Sequence, residues 1–161
     1  VILVEGAAMA GGLGMVCTAD VVAVTKDAKF AMTETTLGIP PAQIAPFVVQ
    51  RLGLSRARRL MLTASRFNGE EAGRLGLADY VVDDVAGLDK VDADIKKQVN
   101  RCAPGANAVT KEVVLATRHL NRQEMVDFAA KGFASCMLSD EGREGVTSFF
   151  EKRKPFWAAE K

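Results

Sequence analysis

The chain has 161 residues, of which 48% are hydrophobic and 25% charged, and its formal net charge is +1. These values suit one compact globular domain with a sizeable core and argue against disorder. A nucleic-acid binder carries a basic excess that this chain lacks overall, and no apolar run approaches the roughly 20 residues needed to cross a bilayer.

The chain starts with Val1-Ile2-Leu3-Val4, a β-branched and aliphatic run that reads as a buried strand. No basic segment precedes it, so no signal peptide is expected, and so abrupt a start suggests an opening partway through a larger fold. Gly6 to Gly14 is a Gly-rich turn leading into a helix over Met15–Ala19, which Asp20 ends. Strands are expected over 21–24 and 29–32, with a turn at Lys26-Asp27-Ala28 between them. Thr33 to Pro41 reads as a loop, because its paired prolines fit neither a helix nor a central strand.

Helical patterning begins near Ala45, and Ser55 is a candidate N-cap for a helix over Arg56–Thr63. Asn68-Gly69 reads as a turn, and Glu70-Glu71 suit the first turn of a helix that stops near Gly76. Tyr80-Val81-Val82 is a last short strand. Beyond it helices are expected over 91–100, 106–120, 123–138 and 140–150, with breaks at Pro104-Gly105 and Asn121. The plan is an α/β part over 1–90 followed by a helical region over 91–161.

The three cysteines, Cys17, Cys102 and Cys136, are odd in number and far apart. They indicate neither a disulfide framework nor a zinc site, and buried free thiols in a reducing cytoplasm are expected. His119 is the only histidine and has no partner motif, so it reads as a helix-end or surface residue. Arg51, Arg56, Arg58 and Arg59 form a local basic cluster, read as a solvated helix face, with an RNA-binding surface as the sharper alternative.

Two segments carry chemistry. In the first, Gly6-x-x-x-x-Gly11-Gly12-x-Gly14 follows a strand and opens a helix. Its free N–H groups would stabilise an oxyanion developing on a thioester carbonyl. It meets neither the G-x-G-x-x-G dinucleotide fingerprint nor the phosphate-loop pattern, and tight strand–helix packing would explain it equally well. In the second, Glu34 sits among small, apolar and hydroxyl residues, with no basic neighbour between Lys29 and Arg51. Buried there, its carboxyl would suit acid–base work, although spacing alone favours a solvated loop glutamate.

Together these segments resemble the crotonase (enoyl-CoA hydratase/isomerase) superfamily. Val4-Glu5-Gly6-Ala7-Ala8-Met9-Ala10-Gly11-Gly12 is similar to its strand ending in Gly-x-x-x-Gly-Gly-Gly, and Asp20 falls where that family closes the helix with Asp. Phe30-x-x-x-Glu34-x-x-Leu37-Gly38-Ile39-Pro40-Pro41 resembles its glutamate loop, with Arg51-Leu52-Gly53 following at the family's distance. Thr63 to Ala78 is similar to the family's LTG…GLV segment, and Asp140 to Pro155 to its D…EG…AF…KRKP tail.

The resemblance implies a crotonase-like spiral of ββα units, incomplete at the N-terminus, with a C-terminal helical oligomerisation region making homotrimers or dimers of trimers. It implies a cytoplasmic lyase of fatty-acid type that takes an acyl-CoA thioester and needs no cofactor, nucleic acid or membrane. Glu34 would be the catalytic acid/base and the Gly11 N–H one of two oxyanion donors. Met9, Ala10, Gly12, Thr33, Leu37 and Ala42 would line the substrate site. Phe133 and Lys152 align with positions reaching the CoA, and Ala42 stands where the family commonly has Gly.

Two-glutamate hydratases carry a further Glu at the position of Gly14, so the resemblance implies a one-glutamate site. This is similar to members acting on branched or bulky acyl groups, such as feruloyl-CoA hydratase/lyase-like enzymes and isohexenylglutaconyl-CoA hydratases. Hydration of an enoyl-CoA is the expected activity. Double-bond isomerisation and a non-catalytic assembly fragment with half an oxyanion hole are the alternatives. Met125, Phe128, Phe133, Met137, Phe149 and Phe150 recur at spacings suited to one apolar face, read as a subunit or interdomain contact.

Overall fold

A computed structural model of the chain describes residues 1–158. The chain divides into two compact units, Val1–Asp94 and the segment from Ile95 onward.

The first unit holds two three-stranded sheets. One is parallel throughout, with β3 (Val22–Thr25) between β1 (Ile2–Val4) and β6 (Tyr80–Val82). All four residues of β3 are buried, as expected for a central strand covered on both faces. In the other, β4 (Lys29–Ala31) pairs in parallel with β2 (Ala7–Met9) and antiparallel with β5 (Arg66–Asn68). Phe30 and Phe67 face each other across β4 and β5 with stacked rings 5.4 Å apart.

β2 and β5 are hidden from sequence reasoning by their composition. β2 is embedded in the Gly-rich segment, and β5 ends on the Asn68 that reads as a turn. The helix after β2 is α1 (Gly11–Cys17), which begins at Gly11 rather than Met15. Glu34–Leu37 forms a 3₁₀ turn closed by Gly38 in the left-handed region, where the sequence suggests only loop.

α2 (Ala45–Leu52) packs on α1, and α3 (Leu54–Leu62) packs on α2 across Gly53. Gly53 rather than Ser55 precedes the first turn of α3. α4 (Gly69–Leu75) is capped by the Asn68 side chain and ends on left-handed Gly76. α5 (Val85–Val99) begins six residues before the expected 91, because Asp84 Oδ1 accepts the Gly87 N–H at 2.9 Å and starts the helix there.

Arg51 corrects the reading of the arginine cluster. Its side chain is only 14% exposed. It donates to the Leu77 carbonyl at 2.9 and 3.1 Å, to the Ala19 carbonyl at 3.3 Å and to Asp79 Oδ2 at 2.6 Å. Asp79 Oδ2 also accepts the Val22 N–H at 2.8 Å, so one guanidinium ties α2 to the loops before β3 and β6. Arg56 likewise donates to the Leu75 carbonyl at the end of α4. Arg56, Arg58 and Arg59 are exposed, as the reading of a solvated helix face expects.

The second unit is helical: α6 (Pro104–Ala116), α7 (Arg122–Leu138) and α8 (Asp140–Phe150) pack in sequence. Pro104 opens α6 rather than breaking a helix, as its fixed φ and missing N–H allow at a first-turn position. Asn121 and Glu124 form a capping box on α7. Arg153 binds both carboxylate oxygens of Glu144, at 2.5 and 2.8 Å, and Glu144 also accepts the Phe156 N–H at 3.1 Å. That pairing holds the Glu144 carboxyl below its usual range. Among the described residues no helix is long and apolar enough to cross a membrane.

The cysteines differ from one another. Cys17 is buried, Cys136 half-buried and Cys102 exposed, so the expectation of buried thiols holds only for Cys17. Burial pushes the Cys17 thiol up to about 11, against a smaller opposing pull from Arg51.

Two outcomes are expected. Arg51→Lys should lower folding stability by about 2 kcal/mol, measured by urea denaturation, because one ammonium cannot serve two carbonyls and a carboxylate in a planar fork. At pH 8 roughly one Cys17 in a thousand is thiolate, so iodoacetamide followed by mass spectrometry should label exposed Cys102 well before Cys17. Fast labelling of Cys17 in the folded protein would contradict this burial.

Candidate active site

β2 and β4 are parallel, with Ala8 opposite Phe30 and Met9 opposite Ala31. The pairing continues one step further, where the Ala10 N–H donates to the Ala31 carbonyl at 2.9 Å. The chain leaving β2 enters α1 at Gly11, and the chain leaving β4 reaches Glu34 three residues beyond Ala31. Gly11 and Glu34 therefore both emerge at the carboxyl end of the same parallel pair, where open α/β sheets place their ligands.

Ala10 sits at the N-cap of α1 with φ 47° and ψ −120°. This is the left-handed side of backbone space, which L-residues other than Gly rarely occupy, and it makes Ala10 a strained position. It turns the chain sharply, so that α1 begins at once. No side chain caps the helix, and the Gly11 and Gly12 N–H groups have no acceptor among the described residues. A methyl placed on Gly11 or Gly12 would meet nothing within 4 Å. Packing within the described residues thus does not require glycine there, whereas close approach of a ligand to the backbone does.

Glu34 opens the 3₁₀ turn, and its Oε2 atom is buried without a hydrogen-bond partner among the described residues. A buried, unpaired carboxylate oxygen is costly and uncommon, and such atoms cluster where chemistry is done. Solvation, the simpler expectation from spacing, does not describe this oxygen.

Thr33 precedes the turn, and its carbonyl accepts the Thr36 hydroxyl at 2.7 Å. Thr35 hydroxyl reaches the Met61 carbonyl at 3.2 Å, which anchors the turn to α3. Leu37 and Ile39 follow in the loop and are 73% and 55% exposed. Ala42 donates its N–H to the Pro40 carbonyl at 2.8 Å and keeps a negative φ, so the tight turn has no need of Gly. Met9 and Ala10 are half-buried, and Gly12 is exposed.

The first unit thus brings together Met9, Ala10, Gly11, Gly12, Glu34 and the Thr33–Ala42 loop. Phe133 and Lys152 lie in the second unit. Phe133 is 70% exposed on α7, and Lys152 holds φ 54° just past α8. Sequence reasoning does not single out Ile44, which packs against Gly14 of α1. A Gly one turn into a short helix, followed by a β-branched residue at the end of the next loop, was the available signal.

This arrangement supplies backbone N–H donors and a lone carboxylate at one strand end. A model of the enoyl-CoA hydratase/isomerase family matches residues 1–160. The chain belongs to the enoyl-CoA hydratase/isomerase family. Its fold follows that of Pseudomonas aeruginosa AtuE, with TM-score 0.94 and 49% identity over 97% of this chain and 60% of that one. It is also similar to an enoyl-CoA hydratase/isomerase from Marinobacter aquaeolei, with TM-score 0.92 and 41% identity over 98% of this chain and 61% of that one. The peroxisomal Delta(3,5)-Delta(2,4)-dienoyl-CoA isomerase of Arabidopsis thaliana is 31% identical over 96% of this chain and 56% of its own length. The chain thus spans about three-fifths of the length of these relatives.

Gly11→Ala separates fold from function. The methyl enters open space on a helix, so stability should be unchanged or rise by up to about 1 kcal/mol in thermal denaturation. If a thioester oxygen approaches the free N–H groups, the added methyl crowds that approach, and kcat/KM for an enoyl-CoA should fall roughly 100-fold in the intact protein. Full activity in that variant would remove the Gly11 N–H from the site.

Proposed function

We propose that the intact protein is a cytoplasmic acyl-CoA hydratase that adds water across the 2,3 double bond of an enoyl-CoA. The observation that carries this reading is the buried, unpartnered Oε2 of Glu34 at the strand end that also carries the free Gly11 N–H. The thioester oxygen accepts from the Gly11 N–H, which favours the negative charge that develops as the enolate forms. Glu34 takes a proton from water while the oxygen of that water bonds to C3, and the protonated Glu34 then returns a proton to C2. One carboxylate serves as both base and acid, and no cofactor takes part.

Met9, Ala10, Gly12, Thr33, Leu37 and Ala42 line the acyl site in this reading, with the exposed Leu37 supplying apolar contact to a branched or bulky chain of the isohexenylglutaconyl type. Phe133 and Lys152 would contact the CoA moiety. Relatives of this chain carry the names of a short-chain-enoyl-CoA hydratase and a dienoyl-CoA isomerase, so the same site supports a second reading. As an isomerase, Glu34 would move a proton between C2 and C4 through a dienolate, whose thioester oxygen would take the same Gly11 N–H.

Phe133, Phe149 and Phe150 are 70%, 77% and 77% exposed, which supports a homotrimer, or a dimer of trimers, built through the helical unit. A chain serving only that assembly is the reading left if turnover fails.

The deciding measurement uses the intact protein with 2-enoyl and 3-enoyl thioesters in separate incubations, read by mass. Hydration gives a gain of one water from the 2-enoyl substrate, whereas isomerisation leaves the mass unchanged. Glu34→Gln should lower hydration at least about 100-fold while CoA-ester binding persists. Retained turnover in Glu34→Gln overturns the assignment of Glu34.

A further inference from the structure

α1 is open along its first turn and closed one turn later. A methyl at Gly11 or Gly12 would meet nothing within 4 Å, whereas a methyl at Gly14 would lie 2.6 Å from Ile44 Cβ and closer still to Ile44 Cγ2. Residues three apart on a helix hold their Cβ positions about 5–6 Å from one another. The free space beside the Gly11 N–H therefore ends, one turn on, against the Ile44 side chain.

Ile44 is fixed there from both directions. Its segment starts at Glu34 and is drawn in through the Ala45 N–H donating to the Pro41 carbonyl at 3.0 Å. Its own carbonyl accepts the Phe47 and Val48 N–H groups at 3.0 and 3.1 Å, which makes it the N-cap of α2. The side chain is half-buried and packs on the core cluster. A β-branched side chain has restricted χ1 freedom, so Ile44 cannot swing aside without moving α2.

We propose that Ile44 is a specificity-determining residue: it occupies the volume that any side chain at position 14 would enter, and it presents a rigid apolar wall to the acyl carbons next to the thioester. The proposal rests on the enoyl-CoA reading of the site and adds a limit to it: on the Gly14 side the acyl chain is bounded in width by the apolar Ile44 side chain. Gly14 and Ile44 act as one unit. Glycine is needed because isoleucine is there, and a second carboxylate cannot be restored at 14 while Ile44 remains.

The test compares the intact wild-type protein with Ile44→Val, Ile44→Ala and Gly14→Ala. Two ratios are read, longer or branched chain against short linear chain. One is kcat/KM for the 2-enoyl-CoAs, and the other is the dissociation constant for the matching saturated acyl-CoAs, with thermal midpoints as a check on folding. Because one methylene in an apolar pocket changes selectivity by about tenfold or more, Ile44→Val should move both ratios about tenfold towards the wider chain. Ile44→Ala should move them further. Gly14→Ala should lower the thermal midpoint, because its methyl has no room beside Ile44 Cβ, and an unchanged midpoint would contradict the fixed placement of Ile44.

Unchanged ratios in Ile44→Val at a wild-type thermal midpoint overturn the proposal, and this conservative variant decides if Ile44→Ala does not fold. If wild type turns over none of the thioesters yet the binding ratio moves, the hydratase reading fails and the wall stands. If turnover is normal and neither ratio moves, the wall fails and the hydratase reading stands.

Discussion

Because β2 and β4 run parallel in the register Ala8 to Phe30 and Met9 to Ala31, both chain segments leave the pair at the same end. The site follows from that constraint. One segment must turn at once into α1, and the other must turn into the Glu34 loop. An antiparallel pairing would have sent Gly11 and Glu34 to opposite ends of the sheet. The register is held beyond the strands by the Ala10 N–H bond to the Ala31 carbonyl, and that bond also locks Ala10 at φ 47°. A residue in this region of backbone space costs about 1–2 kcal/mol. What it achieves is an immediate helix start, with its first N–H groups left free instead of consumed by a gradual turn.

Elsewhere in the first unit, a polar network ties α2 to the loops that lead into β3 and β6. Arg51 crosses from α2 to the carbonyls of Ala19 and Leu77 and to Asp79, whose carboxylate also holds the Val22 N–H at the start of β3. Through α2, Arg51 also fixes Ile44 against α1. An arginine that sequence pattern places on a wet surface is therefore part of the frame that sets the shape of the site. A planar guanidinium suits this role because it donates in several fixed directions at once and stays charged when desolvated.

Sequence reasoning reaches the elements whose signals are local. The strands at 2–4, 22–25 and 80–82 show as apolar runs, and α7 and α8 show as helical patterning set off by the break at Asn121. β2 is not legible, because Ala7-Ala8-Met9 has weak strand preference alone and becomes a strand only by pairing with β4. The burial of Glu34 Oε2 is equally invisible: it depends on the 3₁₀ turn and on Thr35 anchoring that turn to the Met61 carbonyl. Family likeness, not residue spacing, was what marked Glu34 in the sequence. Long-range partners explain the other misses as well, since Arg51 finds its acceptors 26 to 32 residues away.

The contrast between Gly11 and Gly14 bears on what kind of chemistry this helix can support. Both are glycines on one short helix, yet one faces open space and the other is pressed by Ile44. A carboxylate at position 14 would need to displace a β-branched side chain and the start of α2, and would then sit on an apolar wall with no cation nearby in sequence. Burying a charge in that way costs several kcal/mol unless it is paired. The fold therefore leaves no room for a side chain at position 14, and Glu34 is the carboxylate that the proposed function uses. On the proposed reading, a site with one ionisable group would use it twice in each hydration, first as base and then as acid. An unpartnered Oε2 leaves that carboxyl no hydrogen bond to break among the described residues.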